Sequence, residues 1–243
     1  MQLRTDDIGY GGIRLIQSPG AFCYGTDAVL LADFAAASRT DKAAELGSGN
    51  GAASFILWGK YRPVHITGIE FQHDAAQLAG QSARLNGLTD RIDFIEGDVL
   101  NIRELLPAGC MDLVISNPPY TEKGRGPVNP SGPLQLARHE TTASLEDFFK
   151  AAAWLLRLKG RLCMVHRPSR LADIVCTARA CGLEPKRLQM VRPFEGQAPN
   201  ILLIECVKGG GKELTVLPDI IVRNADESYT DTMLRIYNTY YQD

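Results

Sequence analysis

From Lys42 onward, short apolar runs alternate with segments of helical period, and this alternation constrains the fold more than any other feature of the chain. Strands are expected at Lys42–Leu46, Val64–Glu70, Arg91–Ile95, Met111–Ser116, Gly160–Val165, Leu188–Val191 and Ile201–Val207. Helices are expected over Ala52–Lys60, Asp74–Leu85, Ser144–Leu158 and Ala172–Ala180, with Ser144 as an N-cap before Leu145 and Phe148. The run MDLVIS (111–116) is nearly continuous in apolar residues, as a strand buried on both faces requires. Strand–helix alternation implies parallel pairing through right-handed crossovers. The expected architecture is therefore α/β, Rossmann-like: a doubly wound, mostly parallel sheet of seven strands. Ligands of such sheets bind beyond the carboxyl ends of the strands, where the strand order reverses. The chemistry belongs in the loops after Leu46, Ile69, Ile95 and Ser116.

Two flanks stand outside the alternation. Ile13–Gln17 alternates and Ser18-Pro19-Gly20 turns, which predicts a hairpin, with Thr26 capping a helix that starts at Asp27. At the other end Gly209-Gly210-Gly211 marks a turn, followed by a short strand and a helix around Asp231–Tyr240. The 243 residues suit one large α/β domain. We read a cap segment (1–40), a core (41–208) and an extension (209–243). A hydrophobic fraction of 45% excludes wholesale disorder. No apolar run reaches the roughly 18 residues that span a bilayer. MQLRTDDIGYGG lacks the apolar core of a signal peptide. A soluble, cytoplasmic protein with no membrane partner is expected. The cysteines, at 23, 110, 163, 176, 181 and 206, form no CxxC pair and have no histidine at metal-site spacing. They read as free thiols of a reducing compartment, with no metal.

The turn after the first core strand reads Glu45-Leu-Gly47-Ser48-Gly49-Asn50-Gly51. Alternate glycines let the backbone turn sharply and approach a ligand without interference from a Cβ. The next helix offers free N–H groups at its start. Two ligands compete for this turn. Gly47, Gly49 and Ala52 satisfy the loose dinucleotide pattern, with Glu70 at the distance that holds a ribose. Acid-x-G-x-G-x-G also resembles the first motif of class I S-adenosylmethionine methyltransferases. Glu45 would repel a pyrophosphate but suits a cationic amino-acid end, which favours the second reading. Glu70 ends the second strand (ITGIE), where a carboxylate accepts from ribose hydroxyls. Asp98 follows the third (IEGD), where it accepts from an adenine amino group.

After the fourth strand comes Asn117-Pro118-Pro119-Tyr120. Two prolines end the ladder and hold their predecessors extended, giving a stiff loop. An exocyclic or amide nitrogen is a poor nucleophile because its lone pair is delocalised. The Asn117 side-chain oxygen and the Pro118 carbonyl can each accept one N–H, favouring a tetrahedral nitrogen. Tyr120 can stack on the planar group. No metal or ionised general base is required, so His139 and His166 are not needed as bases.

ELGSGNG, GIE, EGD and DLVISNPPY together resemble the Rossmann-like class I methyltransferases that modify planar amino groups. FCYGTDAVLLADFA (22–35), NPPY, HRPSRLADI (166–174) and GLEPKRLQMV (182–191) narrow the resemblance to the bacterial tRNA(Val) adenine-37 N6-methyltransferase family. The similarity runs from Ile8 to about Val207. It implies S-adenosylmethionine as cofactor, with Tyr24, Gly25, Thr26 and Asp27 closing over its methionine end. Glu45, Gly47, Ser48, Gly49, Asn50, Gly51, Glu70, Phe71, Asp98, Val99 and Asn117 complete the implied cofactor set. Asn117, Pro118, Pro119 and Tyr120 are the implied catalytic residues. Cys23 and Ala198-Pro199-Asn200 depart from the family pattern. A release-factor-type glutamine N5-methyltransferase, which uses the same tetrapeptide, remains an alternative, as does an rRNA N-methyltransferase. A dinucleotide-binding oxidoreductase is the alternative from another class.

The implied partner is RNA, most simply tRNA, although the formal net charge is only −2. Residues 1–120 hold 9 Lys and Arg against 14 Asp and Glu, whereas residues 121–243 hold 17 against 14. Lys123, Arg125 and Arg138 follow the tetrapeptide in a Gly/Pro-rich loop, and with Arg167 they are the expected phosphate contacts. Arg170, Lys186, Arg187 and Arg192 would extend that face. Oligomeric state has no sequence signature here.

Overall fold

The computed structural model describes residues 3–18, 25–119 and 143–238. Its main sheet begins with β3 (Lys42–Leu46), β4 (His65–Glu70), β5 (Ile92–Glu96) and β6 (Met111–Ser116). It continues with β7 (Leu156–His166), β8 (Leu183–Phe194) and β9 (Ile201–Lys208). These seven strands lie in the order β5-β4-β3-β6-β7-β9-β8. Only β9 runs against its neighbours. The sheet has nine strands rather than the expected seven, because β10 (Thr215–Val216) and β11 (Ile220–Arg223) both pair parallel with the outer edge of β8. The short strand expected after the glycine triplet is thus two strands, which cover an edge that would otherwise present unpaired amides and carbonyls.

Both faces are buried, and strand alternation sorts the side chains between them. Leu113, Ile115, Cys163 and Val165 join the core beneath α1 (Thr26–Ala35) and α2 (Ala52–Tyr61). Val114, Leu162, Met164 and Leu202 join the opposite core beneath α5 (Leu145–Leu155) and α6 (Leu171–Ala180). Period-two alternation between two apolar layers produces the unbroken run MDLVIS. The remaining helices are α3 (His73–Leu85), the short α4 (Ile102–Leu105) and α7 (Asp231–Asn238).

Several boundaries differ from expectation for local reasons. The N-terminal hairpin pairs β1 (Arg4–Asp7) with β2 (Arg14–Gln17). Its turn is at 8–13, where Gly9, Gly11 and Gly12 take positive φ; of the turn expected at Ser18-Pro19-Gly20, residues 19 and 20 lie outside the described residues. Thr26 is the first helical residue of α1 and Gly25 is its N-cap. Ser144 does cap α5, in a reciprocal box: Ser144 Oγ accepts from the Asp147 amide, and Asp147 accepts from the Ser144 amide at 2.8 Å. That helix stops at Leu155 because residues 157–160 loop out of the ladder between the pairs Met111–Leu156 and Leu113–Arg161. Leu158, which extended the apolar helical pattern, is 67% exposed in this bulge. β8 is longer than its apolar stretch because the charged Lys186 and Arg187 interrupt the apolar pattern but not the strand: Lys186 bulges between the pairs Pro185–Cys206 and Arg187–Glu205, and pairing with β9 resumes on both sides.

Candidate functional site

The strand order reverses where β3 lies between β4 and β6, so the loops leaving these strands open beside one another. Ser116 Oγ donates to the Leu46 carbonyl at 2.9 Å, tying the exits of β6 and β3. The Gly47 and Ser48 amides both donate to the Ile69 carbonyl, at 2.9 and 3.0 Å, tying the glycine turn to the exit of β4. The Gly97 amide donates to the Glu70 carbonyl at 2.9 Å, which brings in the exit of β5. Residues from four separate stretches thereby share one crevice.

The glycine turn uses its freedom. Gly47, Gly49 and Gly51 have φ of +71°, +54° and +81°, the left-handed region that other residues enter at a cost. A Cβ on Gly49 would meet nothing within 4 Å, so this part of the turn faces open space. A Cβ on Gly51 would stand 2.5 Å from the Phe94 ring, and one on Gly68 of β4 would stand 2.4 Å from it. Phe94 therefore fills the space beneath the turn and packs on Phe55 at 5.7 Å between ring centroids. Phe94 belongs to no motif, and its one signal in the sequence is the glycine inside strand ITGIE, since strand glycines mark close approach.

Three carboxylates surround this turn. Glu45 is buried, and its Oε2 accepts from the Ser54 amide at 2.9 Å and from Ser54 Oγ at 2.5 Å. Burial pushes its pKa up to about 8, against the opposing effect of the Ser54 hydrogen bonds. Glu70 accepts from the Gly49 amide at 2.7 Å and the Gln72 amide at 2.8 Å. Burial raises its pKa as well. Asp98 is half-buried and caps a single 3-10 turn by accepting from the Leu100 amide at 3.0 Å. Phe71, beside Glu70, is 44% exposed, whereas the Val99 side chain is buried in the core. Ser48 Oγ is buried with no hydrogen-bond partner among the described residues, a polar atom left for a ligand or water.

On the other side of the crevice, Asn117 is half-buried, Pro118 buried and Pro119 exposed. His166 ends the neighbouring strand, two residues beyond Met164, which pairs with Ser116. Burial, reinforced by the Arg170 charge, lowers its pKa to about 4, so the imidazole is neutral near pH 7. Thr26 and Asp27 are half-buried at the start of α1, and Gly25 is exposed. Thr26 Oγ1 accepts from the Tyr237 hydroxyl of α7 at 3.4 Å. Tyr24, Tyr120, Lys123, Arg125 and Arg138 lie outside the described residues.

A family model, the methyltransferase small domain, matches residues 12–174. The chain belongs to the methyltransferase small-domain family. This methyltransferase is 31% identical over 207 residues to a tRNA1(Val) (adenine(37)-N6)-methyltransferase of Porphyromonas gingivalis, covering 83% of this chain and 80% of that one. It is 26% identical over 218 residues to the enzyme of that name from Tolumonas auensis, covering 89% of each chain. Among solved structures, a predicted O-methyltransferase from Agrobacterium tumefaciens superposes with a TM-score of 0.73 at 24% identity, covering 87% of this chain and 95% of that chain. Geranyl diphosphate C-methyltransferase from Streptomyces coelicolor, solved with S-adenosyl-L-homocysteine, superposes at 0.55 with 13% identity, covering 75% and 80%. Both likenesses bear on the fold alone.

Among the described residues, the basic side chains beyond the tetrapeptide are mostly committed within the methyltransferase itself. Arg187 donates to Glu205 at 2.7 Å and Arg161 to the same carboxylate at 3.0 Å. Arg170 pairs with Asp173 at 2.7 Å, and Arg192 with Asp219. Lys186 Nζ donates to the carbonyls of Gly211, Lys212 and Glu213. Arg187 and Lys186 also sit inside β8, away from the carboxyl ends of the strands, so they do not extend the expected face. Arg167 directly follows β7 at the correct end, is exposed, and donates to the Asn200 carbonyl at 3.3 Å. No helix of the described residues is long and apolar enough to cross a membrane.

Proposed function

We propose that this methyltransferase transfers a methyl group from S-adenosylmethionine to the exocyclic N6 of an adenine in tRNA beside the anticodon, in the cytoplasm. The observation that carries the reading is the meeting of the Asn117-Pro118-Pro119 loop and the Gly47–Gly51 turn at one strand-order reversal. The names of the relatives at 26–31% identity support adenine and tRNA over the glutamine and rRNA alternatives. The match of residues 12–174 to the methyltransferase small domain speaks against the oxidoreductase.

The residues present fit the cofactor. The open side of Gly49, the unpartnered Ser48 hydroxyl and the flanking carboxylates suit a ligand with a cationic end, ribose hydroxyls and an adenine. Glu70 would take the ribose, where its two oxygens keep free lone pairs beyond its bonds to backbone amides. Asp98 and the exposed Phe71 would take the adenine. Glu45, with Gly25–Asp27, would take the amino-acid end, and a nearby ammonium would favour the ionised form of its carboxyl. When bound, the cofactor supplies an electrophilic methyl group on a sulfonium.

The chain's own part is to position and activate the nitrogen. The Asn117 side-chain oxygen and the Pro118 carbonyl accept the two N–H groups of the target amine, pulling its lone pair out of conjugation. The buried Pro118 ring fixes that carbonyl. Tyr120 supplies the stacking face, and the base must be unpaired or flipped to reach it. The neutral His166 beside this loop adds no positive charge that would oppose the developing cation.

The test supplies labelled S-adenosylmethionine to tRNA, rRNA and a release factor in parallel. Label in tRNA supports the reading. Label confined to the protein substrate replaces it with glutamine methylation.

A further inference from the structure

Three arginines with no carboxylate partner among the described residues gather at the end of the sheet opposite the crevice. Arg39 lies in the loop entering β3, Arg62 in the loop entering β4, and Arg91 directly before β5. With Trp58, Pro63 and Val64 they line a hollow of about 270 Å³ that contains no acidic side chain. The Arg62 guanidinium stacks over the Trp58 ring at 3.9 Å. Arg91 makes one long bond, 3.5 Å, to the Val64 carbonyl. The nearby Asp41 is turned elsewhere: it accepts from the Ser38 amide at 2.8 Å and faces Arg161. All three arginines are exposed.

Each of these strands thus runs from an arginine at its entry to an acid at or just past its exit: Arg39 to Glu45, Arg62 to Glu70, Arg91 to Asp98. The acidic total of residues 1–120 hides a basic pole. Arg62 also holds φ at +52°, a backbone conformation that glycine would adopt without strain. Nothing in the packing of the hollow requires three unpaired guanidinium groups. Guanidinium is the side chain best matched to phosphate oxygens, and stacking on Trp58 holds one of them in place.

We infer that this hollow is a second RNA contact that seats the phosphate backbone of the tRNA whose base enters the crevice. The inference rests on the RNA reading above. The six residues of β4 put the two sites about 20 Å apart at ~3.3 Å per residue, so the arginines touch neither cofactor nor target base. They add affinity and orient the RNA, while the loop at Asn117 carries the chemistry.

The test compares wild type with Arg39→Ala/Arg62→Gly/Arg91→Ala. Binding to an unmodified tRNA transcript is measured over a range of salt, alongside kcat and KM for methyl transfer. Arg62→Gly relaxes the positive φ and so preserves folding; Arg39→Ala alone, in an exposed loop, provides a second variant. Each lost phosphate contact lowers the slope of log K against log salt by ~0.7–0.9. The triple variant should therefore lose about two units of slope and Arg39→Ala about one. KM for tRNA should rise about tenfold or more, with kcat and cofactor affinity unchanged, as expected for binding lost equally from ground and transition states. Unchanged slope and KM in a folded triple variant would overturn the inference and leave the function standing. Unchanged RNA binding with lost binding to anionic phospholipid vesicles would overturn it in favour of a membrane surface. Failure of the wild type to methylate any RNA would overturn the function and this inference together.

Discussion

Replacing Glu45 by Gln should make the stability of this methyltransferase cross that of wild type as pH rises. The Glu45 carboxyl is buried, and its pKa is lifted from 4.5 to about 8. At 1.36 kcal/mol per unit, this corresponds to about 5 kcal/mol between the two protonation states. Between those pH values the folded chain retains a proton that the unfolded chain has released. The stability associated with that proton is present below about pH 4.5, falls as pH rises, and is gone above about pH 8. A glutamine has the same shape, its oxygen can accept both Ser54 donors, and it does not titrate. Its extra N–H groups lack obvious acceptors, at about 1–3 kcal/mol. E45Q should therefore be about 1–3 kcal/mol less stable than wild type near pH 5 and about 2–4 kcal/mol more stable near pH 9. Urea denaturation at the two pH values, with m held in common, reads the difference directly. A difference between the two proteins that stays constant from pH 5 to pH 9 would refute the assignment of a neutral, buried Glu45. The same variant should bind S-adenosylmethionine at least about tenfold more weakly, because the site loses its only means of becoming negative at that position.

Other consequences follow from the same geometry. Asn117→Ala should lower methyl transfer by more than tenfold, at least about 1.4 kcal/mol of barrier, with cofactor affinity nearly unchanged in a titration. Gly68→Ala places a Cβ 2.4 Å from the Phe94 ring, and the overpacking should cost about 1–3 kcal/mol by chemical denaturation; Gly68→Ala with Phe94→Leu should recover part of it. Glu205→Ala leaves Arg187 and Arg161 without their shared carboxylate and should destabilise by about 3–5 kcal/mol in the same assay. Burial opposes ionisation of Glu205, but the two arginines hold its pKa below the usual range. Its contribution should therefore be complete above the ordinary carboxylate range and lost progressively on acidification.

The core of this fold was legible because each strand and helix carried its own signal. Met111–Ser116 and Lys42–Leu46 appear with the bounds their apolar runs suggest. The Ser144 capping box is likewise where the serine before Leu145 placed it. Reading failed where a tertiary neighbour overrode the local pattern. Leu158 looked like another core turn of α5, yet a bulge between strands carries it to the surface. The two short edge strands have too few residues for a period, and only the free edge of β8 makes them strands. In the site, the glycines and acids were legible because their chemistry is local, and the structure brings Glu45, Glu70, Asp98 and Asn117 to adjacent strand exits. Phe94 and Ser54 were missed because their roles depend on packing across strands and onto a helix start. Charge was the least legible property. Among the described residues, the basic side chains beyond the tetrapeptide are mostly spent on internal partners, while three arginines without a carboxylate partner stand in the acidic half.

In the proposed reaction the loop at Asn117 presents the N6 of an adenine in tRNA for methylation. Its most direct test is mass spectrometry of nucleosides from tRNA incubated with S-adenosylmethionine and either wild type or Asn117→Ala. Wild type should give N6-methyladenosine at one position beside the anticodon, and the variant none above background. Methylation of another atom, or equal N6-methyladenosine from the variant, would contradict the proposed reaction.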